Sequence, residues 1–374
     1  MLKVKRVGNN FMKRFLAIIG TIILALSPIA VVSACTVPQK KNIDFDRLVG
    51  LDIDKSKAID DSNNTGLFTN FYTIGDSLSD VNGLTSALSM ALGTTIKFSE
   101  PSFNSSFTNG NTAAANLAAK LGIEKFESGF DYKIGQASLS KFGKNYAIGG
   151  ATAAKASGPM GAIVNYFKIQ DQAEAIIKQH KVKSTDLVLL EIGGNDLFGM
   201  MGTSDANKAV KMAEAMENIK NAMLTLLNNG ITNIVVMNAP DISRIPTYNS
   251  QNDKIKQEAK ALSYEFNARF NTVFEEVNKN YGNSMQMYDL MKSFNEMLKE
   301  YEKENKDFEK PATTTKFDLN KILETGVIPV EYNEGISEKT IDNYFFYDAV
   351  HPTKWAHEKV ANDLEQLVMK WGAK

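Results

Sequence analysis

The strongest constraint on this chain is an alternation of short apolar runs with long amphipathic stretches. Phe71-Tyr72-Thr73-Ile74 is a β-prone run that stops at Gly75, and residues 187–192 form a second that stops at Gly193-Gly194. Residues 231–237 are a third such run, and residues 284–288 a weaker fourth. Between them Ala209, Met212, Met216, Ile219, Met223 and Leu226 recur at spacings of three and four. That is one face of a helix, with Ser204 or Asp205 as N-cap and Gly230 at its end. Ile255, Leu262, Phe266, Phe270, Val273 and Val277 make a second stripe. Residues 111–121 read as a helix stopped by Gly122, and residues 354–371 as a last helix. Strands alternating with helices predict an α/β protein with a parallel sheet and helices on both faces. The strands lack strict polar alternation, as expected for strands covered on both sides. The methionine stripe reads as core packing rather than a ligand groove.

The N-terminus must be set apart from that fold. Residues 1–14 hold Lys3, Lys5, Arg6, Lys13 and Arg14 and no acid, and residues 15–30 are almost wholly apolar. Val32-Ser33-Ala34-Cys35 follows. A basic segment, an apolar segment and small residues are the parts of a secretory signal. The last four residues resemble a bacterial lipobox, which implies that Cys35 is diacylated and becomes the mature N-terminus. The competing reading is an uncleaved anchor, because about 20 apolar residues span a bilayer. Ser27 and Pro28 fit a processed segment better. Either reading places the body outside the cell, at the outer face of the membrane. The expected organisation is a signal over residues 1–35, a tether and N-terminal extension over 36–69, and one domain over 70–374. Within that domain, residues 304–339 are charged and irregular and read as an insertion.

Composition narrows the chemistry. Five of the 42 basic residues lie in the signal, leaving 37 basic against 43 acidic residues in the body. That balance argues against a nucleic-acid partner, which needs a basic surface to displace counterions. One cysteine rules out an intrachain disulfide and a zinc site of several thiolates. The only histidines are His180, His351 and His357. There is no Gly-x-Gly-x-x-Gly or Gly-Lys-Ser/Thr phosphate loop.

Four short motifs carry the candidate chemistry. Ile74-Gly75-Asp76-Ser77-Leu78-Ser79-Asp80 sits where a strand should end and a helix begin. A serine there is exposed at the carboxyl edge of the sheet, where open α/β proteins place their sites. A helix N-terminus just after it would favour developing negative charge. Near the other end, Asp348-Ala349-Val350-His351-Pro352 offers a base for a serine hydroxyl and a carboxylate to orient that base. His180, amid lysines and polar residues, and His357, on the last helix, read as surface or capping residues. Two glycine-rich segments lie between: Asn145-Tyr146-Ala147-Ile148-Gly149-Gly150-Ala151-Thr152 and Gly193-Gly194-Asn195-Asp196. Each alone reads as a turn. Together they offer backbone N–H groups and an amide to a tetrahedral oxyanion.

In this order the four motifs resemble those of the GDSL or SGNH hydrolase family, from Phe71 to about Leu367. Asn109-Gly110, residues 234–241 and Tyr347 to Thr353 are similar to its extended bacterial and plant-type lipase branch. The resemblance implies a three-layer α/β/α sandwich with a five-stranded parallel sheet, flavodoxin-like in outline. It implies ester hydrolysis through an acyl-enzyme, with no metal or organic cofactor. Ser77 matches the nucleophile, His351 the base and Asp348 its orienting carboxylate. The N–H groups of Ser77 and Gly150 and the Asn195 amide match the oxyanion hole. Gly150 rather than Gly149 is assigned because it stands five residues after Asn145. One departure is visible: the branch continues Ser-Asp-x-Gly-Asn, whereas Ser79-Asp80-Val81 here leads to Asn82-Gly83. Tethering beside a bilayer and the resemblance to phospholipases point to acyl esters, phospholipids or lysophospholipids, as substrates. Phe198, Met200 and Met201 are candidates to line an acyl pocket. The competing readings are an O-acetyl esterase of surface glycans and a ligand-binding lipoprotein with an inactive core.

Overall fold

The computed structural model describes residues 46–62, 66–123, 126–129, 143–304 and 306–371. The signal segment and Cys35 lie outside these residues. Among the described residues no helix is long and apolar enough to cross a membrane.

Four strands form the central sheet: β1 (Phe71–Ile74), β2 (Leu187–Glu191), β3 (Asn233–Met237) and β4 (Met285–Tyr288). They are parallel and lie in the order β1-β2-β3-β4, with Ile74 opposite Leu190, Glu191 opposite Met237, and Met237 opposite Tyr288. All of β1 and β2 is buried, which is why their sequences show no polar alternation. The sheet thus has four strands, where the family resemblance implies five. The missing position lies beside β1. There Thr73 donates its N–H to Lys144 and accepts from Tyr146, and Ile148 donates to Gly75. Only a single bridge, Thr73 to Asn145, results. The next ladder bond would take the Gly75 N–H to Tyr146, but that N–H goes to the Gln172 side chain at 2.7 Å instead, and the pairing stops after one bridge.

Among the described residues, helices α1 (Gly83–Leu92), α2 (Ala113–Lys120), α3 (Ile169–Gln179), α4 (Gly194–Met200), α5 (Asp205–Asn228), α6 (Asp253–Asn280), α7 (Leu290–Lys303) and α8 (Lys354–Met369) build the layers around the sheet, with three further short helices, Gly158–Val164, Pro246–Asn249 and Leu319–Thr325, in the connections. Strands that follow one another in space and in sequence, joined by right-handed crossovers, put their connecting helices on one face. Accordingly α3 packs on α5 and α5 on α6. The other face is covered by α2, α7 and α8, whose Ala113, Leu290, Phe294 and Val360 surround the same apolar cavity as Leu189 and Met237. The expected stripes form the core. Met212, Met216, Ile219, Met223 and Leu226 of α5 are buried, as are Leu262, Phe266, Phe270 and Val277 of α6. Ser204 caps α5 through its hydroxyl, which accepts the Asn207 N–H. Ala209 is exposed, so that stripe begins at Met212.

Two segments that the sequence leaves unplaced pack against this body. At the N-terminal side, Asp46 pairs with Lys220 of α5 at 2.9 Å, and Arg47 bonds the Asn280 carbonyl at the end of α6. Within the charged segment, residues Asp307–Pro311 pair in parallel with Tyr344–Phe346. Residues Thr313–Thr315 pair with Val330–Tyr332. Thr313 also donates to the Tyr347 carbonyl, so this segment braces the chain just before the His351 loop.

Candidate active site

Ser77 leaves β1 through Gly75 and Asp76. A Cβ at Gly75 would stand 2.4 Å from the Glu191 carbonyl oxygen, so only glycine lets this turn lie against β2. Gln172 of α3 clamps the same residue, accepting its N–H at 2.7 Å and donating to its carbonyl at 2.9 Å. Asp76 accepts the Leu78 N–H through its side chain and the Ser79 N–H through its carbonyl, which tightens the turn around Ser77. The helix expected directly after Ser77 does not start there. A turn intervenes, and α1 begins at Gly83. The α1 N-terminus therefore begins six residues after the serine rather than at it.

His351 reaches Ser77 from the opposite end of the chain. Its loop is closed by the Tyr347 N–H donating to the His351 carbonyl at 2.8 Å and by a bridge between Phe346 and Pro352. The His351 Nε2 lies 2.7 Å from Ser77 Oγ, and its Nδ1 lies 2.9 and 2.8 Å from the two Asp348 oxygens. Asp348 Oδ1 also accepts the N–H groups of Val350 and His351, each at 2.8 Å. Burial by itself would raise the Asp348 pKa, but the imidazole and these bonds outweigh it and hold the carboxyl below its ordinary value. An ionised carboxylate only accepts, so Nδ1 carries the proton and Nε2 is free to accept from Ser77. For His351, burial disfavours the charged ring, yet Asp348, with Asp76 and Asp80 beyond it, leaves its pKa above the ordinary value. The Phe107 ring lies 4.8 Å from the imidazole and covers it. This arrangement can take a proton from the serine hydroxyl and stabilise the resulting imidazolium.

Beside Ser77, the two glycines of the second motif separate cleanly. The Gly149 N–H donates to Asp80 at 2.6 Å, whereas the N–H groups of Gly150 and Ser77 have no partner among the described residues. Gly150 has φ +83, a left-handed conformation that glycine adopts without strain. Asn195, in the first turn of α4, lines the cleft at Ser77. Its amide donates to Asp76 Oδ2 at 3.2 Å and to the Ala151 carbonyl at 3.1 Å. Phe198 lines the same cleft with Pro240, Ile242, Ile245 and Val350. Met200 is fully buried and Met201 packs on the core, so of the three candidates for an apolar wall only Phe198 reaches the site.

Four buried carboxyls escaped the sequence reading. Asp80 accepts the N–H groups of Gly83, Leu84 and Gly149, and so ties the turn after Ser77 to the glycine loop; burial pushes its pKa up to about 6. Asp196 accepts those of Ala153 and Ala154, and burial pushes it up to about 7. Glu191 and Asp76 lie against each other under Ser77, and burial raises both above the ordinary carboxyl range. The one available signal for Glu191 is an acid ending an otherwise apolar strand. The other two histidines are interior rather than surface residues. His180 follows α3 as its C-cap and lies 2.8 Å from the Tyr146 hydroxyl. His357 accepts the Ala113 N–H and so caps α2 from α8; burial first, then His351, pushes its pKa down to about 3.

The family model described as GDSL-like Lipase/Acylhydrolase matches residues 71–364. The chain is 26% identical over 327 residues to a GDSL esterase/lipase of Arabidopsis thaliana, covering 78% of this chain and 82% of that protein. It is 26% identical over 251 residues to the secreted effector protein SseJ of Salmonella typhimurium, covering 65% of this chain and 55% of that one. Among solved structures, an acetylxylan esterase from Geobacillus stearothermophilus aligns at 15% identity with a TM-score of 0.37, over 82% of this chain and 94% of that one. With the family match running from β1 into the last helix, the chain belongs to the GDSL-like lipase/acylhydrolase family and is a carboxylic ester hydrolase.

Proposed function

We propose that the protein is a lipid-anchored extracellular serine esterase whose substrates are phospholipids or lysophospholipids. The observation that carries the catalytic part is the hydrogen-bonded line from Ser77 through His351 to Asp348. Ser77 Oγ attacks the ester carbonyl while its proton passes to His351 Nε2. Asp348 holds the tautomer and balances the imidazolium. The oxyanion is received by the free N–H groups of Ser77 and Gly150 and by Asn195, whose long bond to Asp76 yields to it. His351 then protonates the departing alcohol, and water resolves the acyl-enzyme by the same route in reverse. The apolar wall of Phe198, Ile242, Ile245 and Val350 suits a hydrocarbon chain rather than a sugar. Anchoring through Cys35 would hold this cleft beside its substrate at the outer face of a bacterial membrane.

Two measurements test the reading. A fluorophosphonate probe should label the folded protein at Ser77, and Ser77→Ala should abolish both labelling and turnover, a loss of about 10⁶ by analogy with a serine protease. A series of p-nitrophenyl esters should show rising kcat/KM beyond acetate, with release of fatty acid from phospholipid. A preference for acetate without action on phospholipid would replace the lipid reading by deacetylation of glycans. No labelling of Ser77 would leave a binding protein.

A further inference from the structure

β2 is apolar up to its last residue, Glu191, which is buried beneath the nucleophile turn. Its neighbour there is Asp76, also buried, and the two carboxyl groups are hydrogen-bonded to each other. Two carboxylates cannot make such a bond, because neither has a hydrogen to give and their like charges repel. One of the two must hold a proton.

The hydrogen bonds around the pair place that proton. Asp76 is furnished as an anion: its Oδ1 accepts the Leu78 N–H at 3.1 Å, its Oδ2 accepts the Asn195 amide at 3.2 Å, and the charge of a protonated His351 acts on it favourably. Glu191 is not so furnished. Its Oε2 receives only long bonds, from the Asp76 N–H at 3.4 Å and the Ser79 hydroxyl at 3.5 Å. Its Oε1 is buried and meets no donor among the described residues. A charge left there would stay largely uncompensated. The proton therefore belongs on Glu191, where it converts a carboxylate short of donors into a donor for Asp76.

This arrangement bears on the oxyanion hole. Both amide hydrogens of Asn195 are engaged, one on Asp76 Oδ2 and one on the Ala151 carbonyl at 3.1 Å. To meet an oxyanion the amide must let one of them go. A bare Asp76 carboxylate would grip it with a charge-assisted bond, about twice as strong as a neutral one. An Asp76 that accepts an O–H from Glu191 has part of that charge drawn to its other side. We propose that Glu191 is a positioning residue of the oxyanion hole: as a neutral acid it donates to Asp76, fixes that carboxylate, and weakens its hold on the Asn195 amide. The inference rests on the oxyanion role given to Asn195 above, and not on substrate class or anchoring.

The test compares Glu191→Met, Glu191→Gln and Asn195→Ala, and the Met and Ala changes combined, in the full chain in detergent on p-nitrophenyl butyrate. Glu191→Met removes the donor; it should lower kcat by about tenfold, the scale of one hydrogen bond to a charged group, and leave KM nearly unchanged. Glu191→Gln keeps an N–H donor for Asp76 and should restore most of the loss. In the Asn195→Ala background Glu191→Met should cost nothing further, because the group it acts through is gone. A folded Glu191→Met with wild-type kcat, a loss that Gln does not restore, or an equal loss in both backgrounds would overturn the proposal. An Asn195→Ala enzyme with unchanged kcat would remove the oxyanion reading, and the proposal with it. The proton itself is read without relying on the Met variant. The infrared spectrum of wild type minus Glu191→Gln at pH 7 should show the carbonyl stretch of a protonated carboxylic acid. Carboxylate bands in its place would overturn the assignment.

Discussion

Replacing Asp348 by Asn is the sharpest test of the catalytic line, because it changes one atom and leaves the shape intact. In the native site Oδ1 anchors the N–H groups of Val350 and His351 at 2.8 Å each, and both oxygens accept from His351 Nδ1. An asparagine keeps its single oxygen on the two backbone N–H groups and turns its NH₂ toward Nδ1. Nδ1 must then accept, so the ring proton moves to Nε2, which points it at Ser77 Oγ, 2.7 Å away. A nitrogen that donates to the nucleophile cannot take its proton. The equivalent change in a serine protease costs about 10⁴ in kcat, which is about 5.5 kcal/mol of barrier. The pH profile should move as well. The active form is the neutral imidazole, and Asp348 is what lifts the His351 pKa against the effect of burial. Wild-type activity should therefore fall, as pH drops, at a midpoint above the ordinary histidine value of about 6.5. In Asp348→Asn burial dominates, and the residual activity should persist to lower pH. The assay is kcat on p-nitrophenyl butyrate from pH 5 to 9, with a melting curve to show that the variant folds. A folded variant within about tenfold of wild type, or an acid limb that does not move, would refute the assignment of the base.

Three further outcomes follow from particular contacts. Asn195→Ala should lower kcat by about 10² to 10³ with little change in KM, the cost of one oxyanion donor; equal effects on both parameters would make Asn195 a ground-state contact. Gly83→Ala should lower the free energy of urea unfolding by about 1–3 kcal/mol, because its Cβ would stand 2.4 Å from the Ala147 carbonyl oxygen; unchanged stability would contradict that close approach. Cys35→Ser should shift the protein from the membrane fraction to the medium and remove incorporation of a labelled fatty acid; retention with label elsewhere would reject Cys35 as the anchor.

The parts legible in the sequence were those carried by contiguous residues. Ser77, Asp348, His351 and Asn195 each sit in a short motif whose residue types are tied to their chemistry, and the long stripes of α5 and α6 report burial directly. The Asn82-Gly83 inversion is explained only in three dimensions. Asn82 adopts φ 64 as the N-cap of α1, which asparagine tolerates, and Gly83 takes the crowded position against Ala147. What the sequence hid were contacts between distant segments. His180 lies in a polar run yet is buried by Tyr72 and Tyr146. His357 looks like any helix residue until α2 arrives with an N–H to be capped. Among the described residues the pairing beside β1 stops after one bridge because the Gln172 side chain takes the Gly75 N–H, and no periodicity reports such competition.

The buried carboxyls around the site have a consequence for stability that runs against activity. The glycine loop from Ala147 to Ala154 is outside the sheet, so its N–H groups need other acceptors. Asp80 and Asp196 supply them, but each must be buried to do so, and their pKa values rise to about 6 and about 7. A carboxyl raised in the folded state holds its proton to higher pH than in the unfolded chain. Between the unfolded value of about 3.9 and the folded one, the folded state binds more protons, so stability falls as pH rises through that window. Asp76 and Glu191 are raised by burial and act in the same direction. The raised His351 does so too, contributing stability that is complete below its unfolded pKa and lost as pH climbs through the folded one. Two groups at the site pull the other way: His357, buried neutral with its pKa down to about 3, gains stability as pH rises from there through its unfolded value, and Asp348, with its lowered pKa, does so near its own low range. The fold should therefore melt higher at pH 5.5 than at pH 8, while turnover shows the reverse because His351 must be neutral. Asp196→Asn can keep one acceptor for the loop without the charge, so it should flatten the slope of melting temperature against pH between about 4 and 7. A slope identical to wild type would mean that Asp196 ionises as freely in the folded protein as in the unfolded chain, and that the loop is not held at the expense of a buried charge.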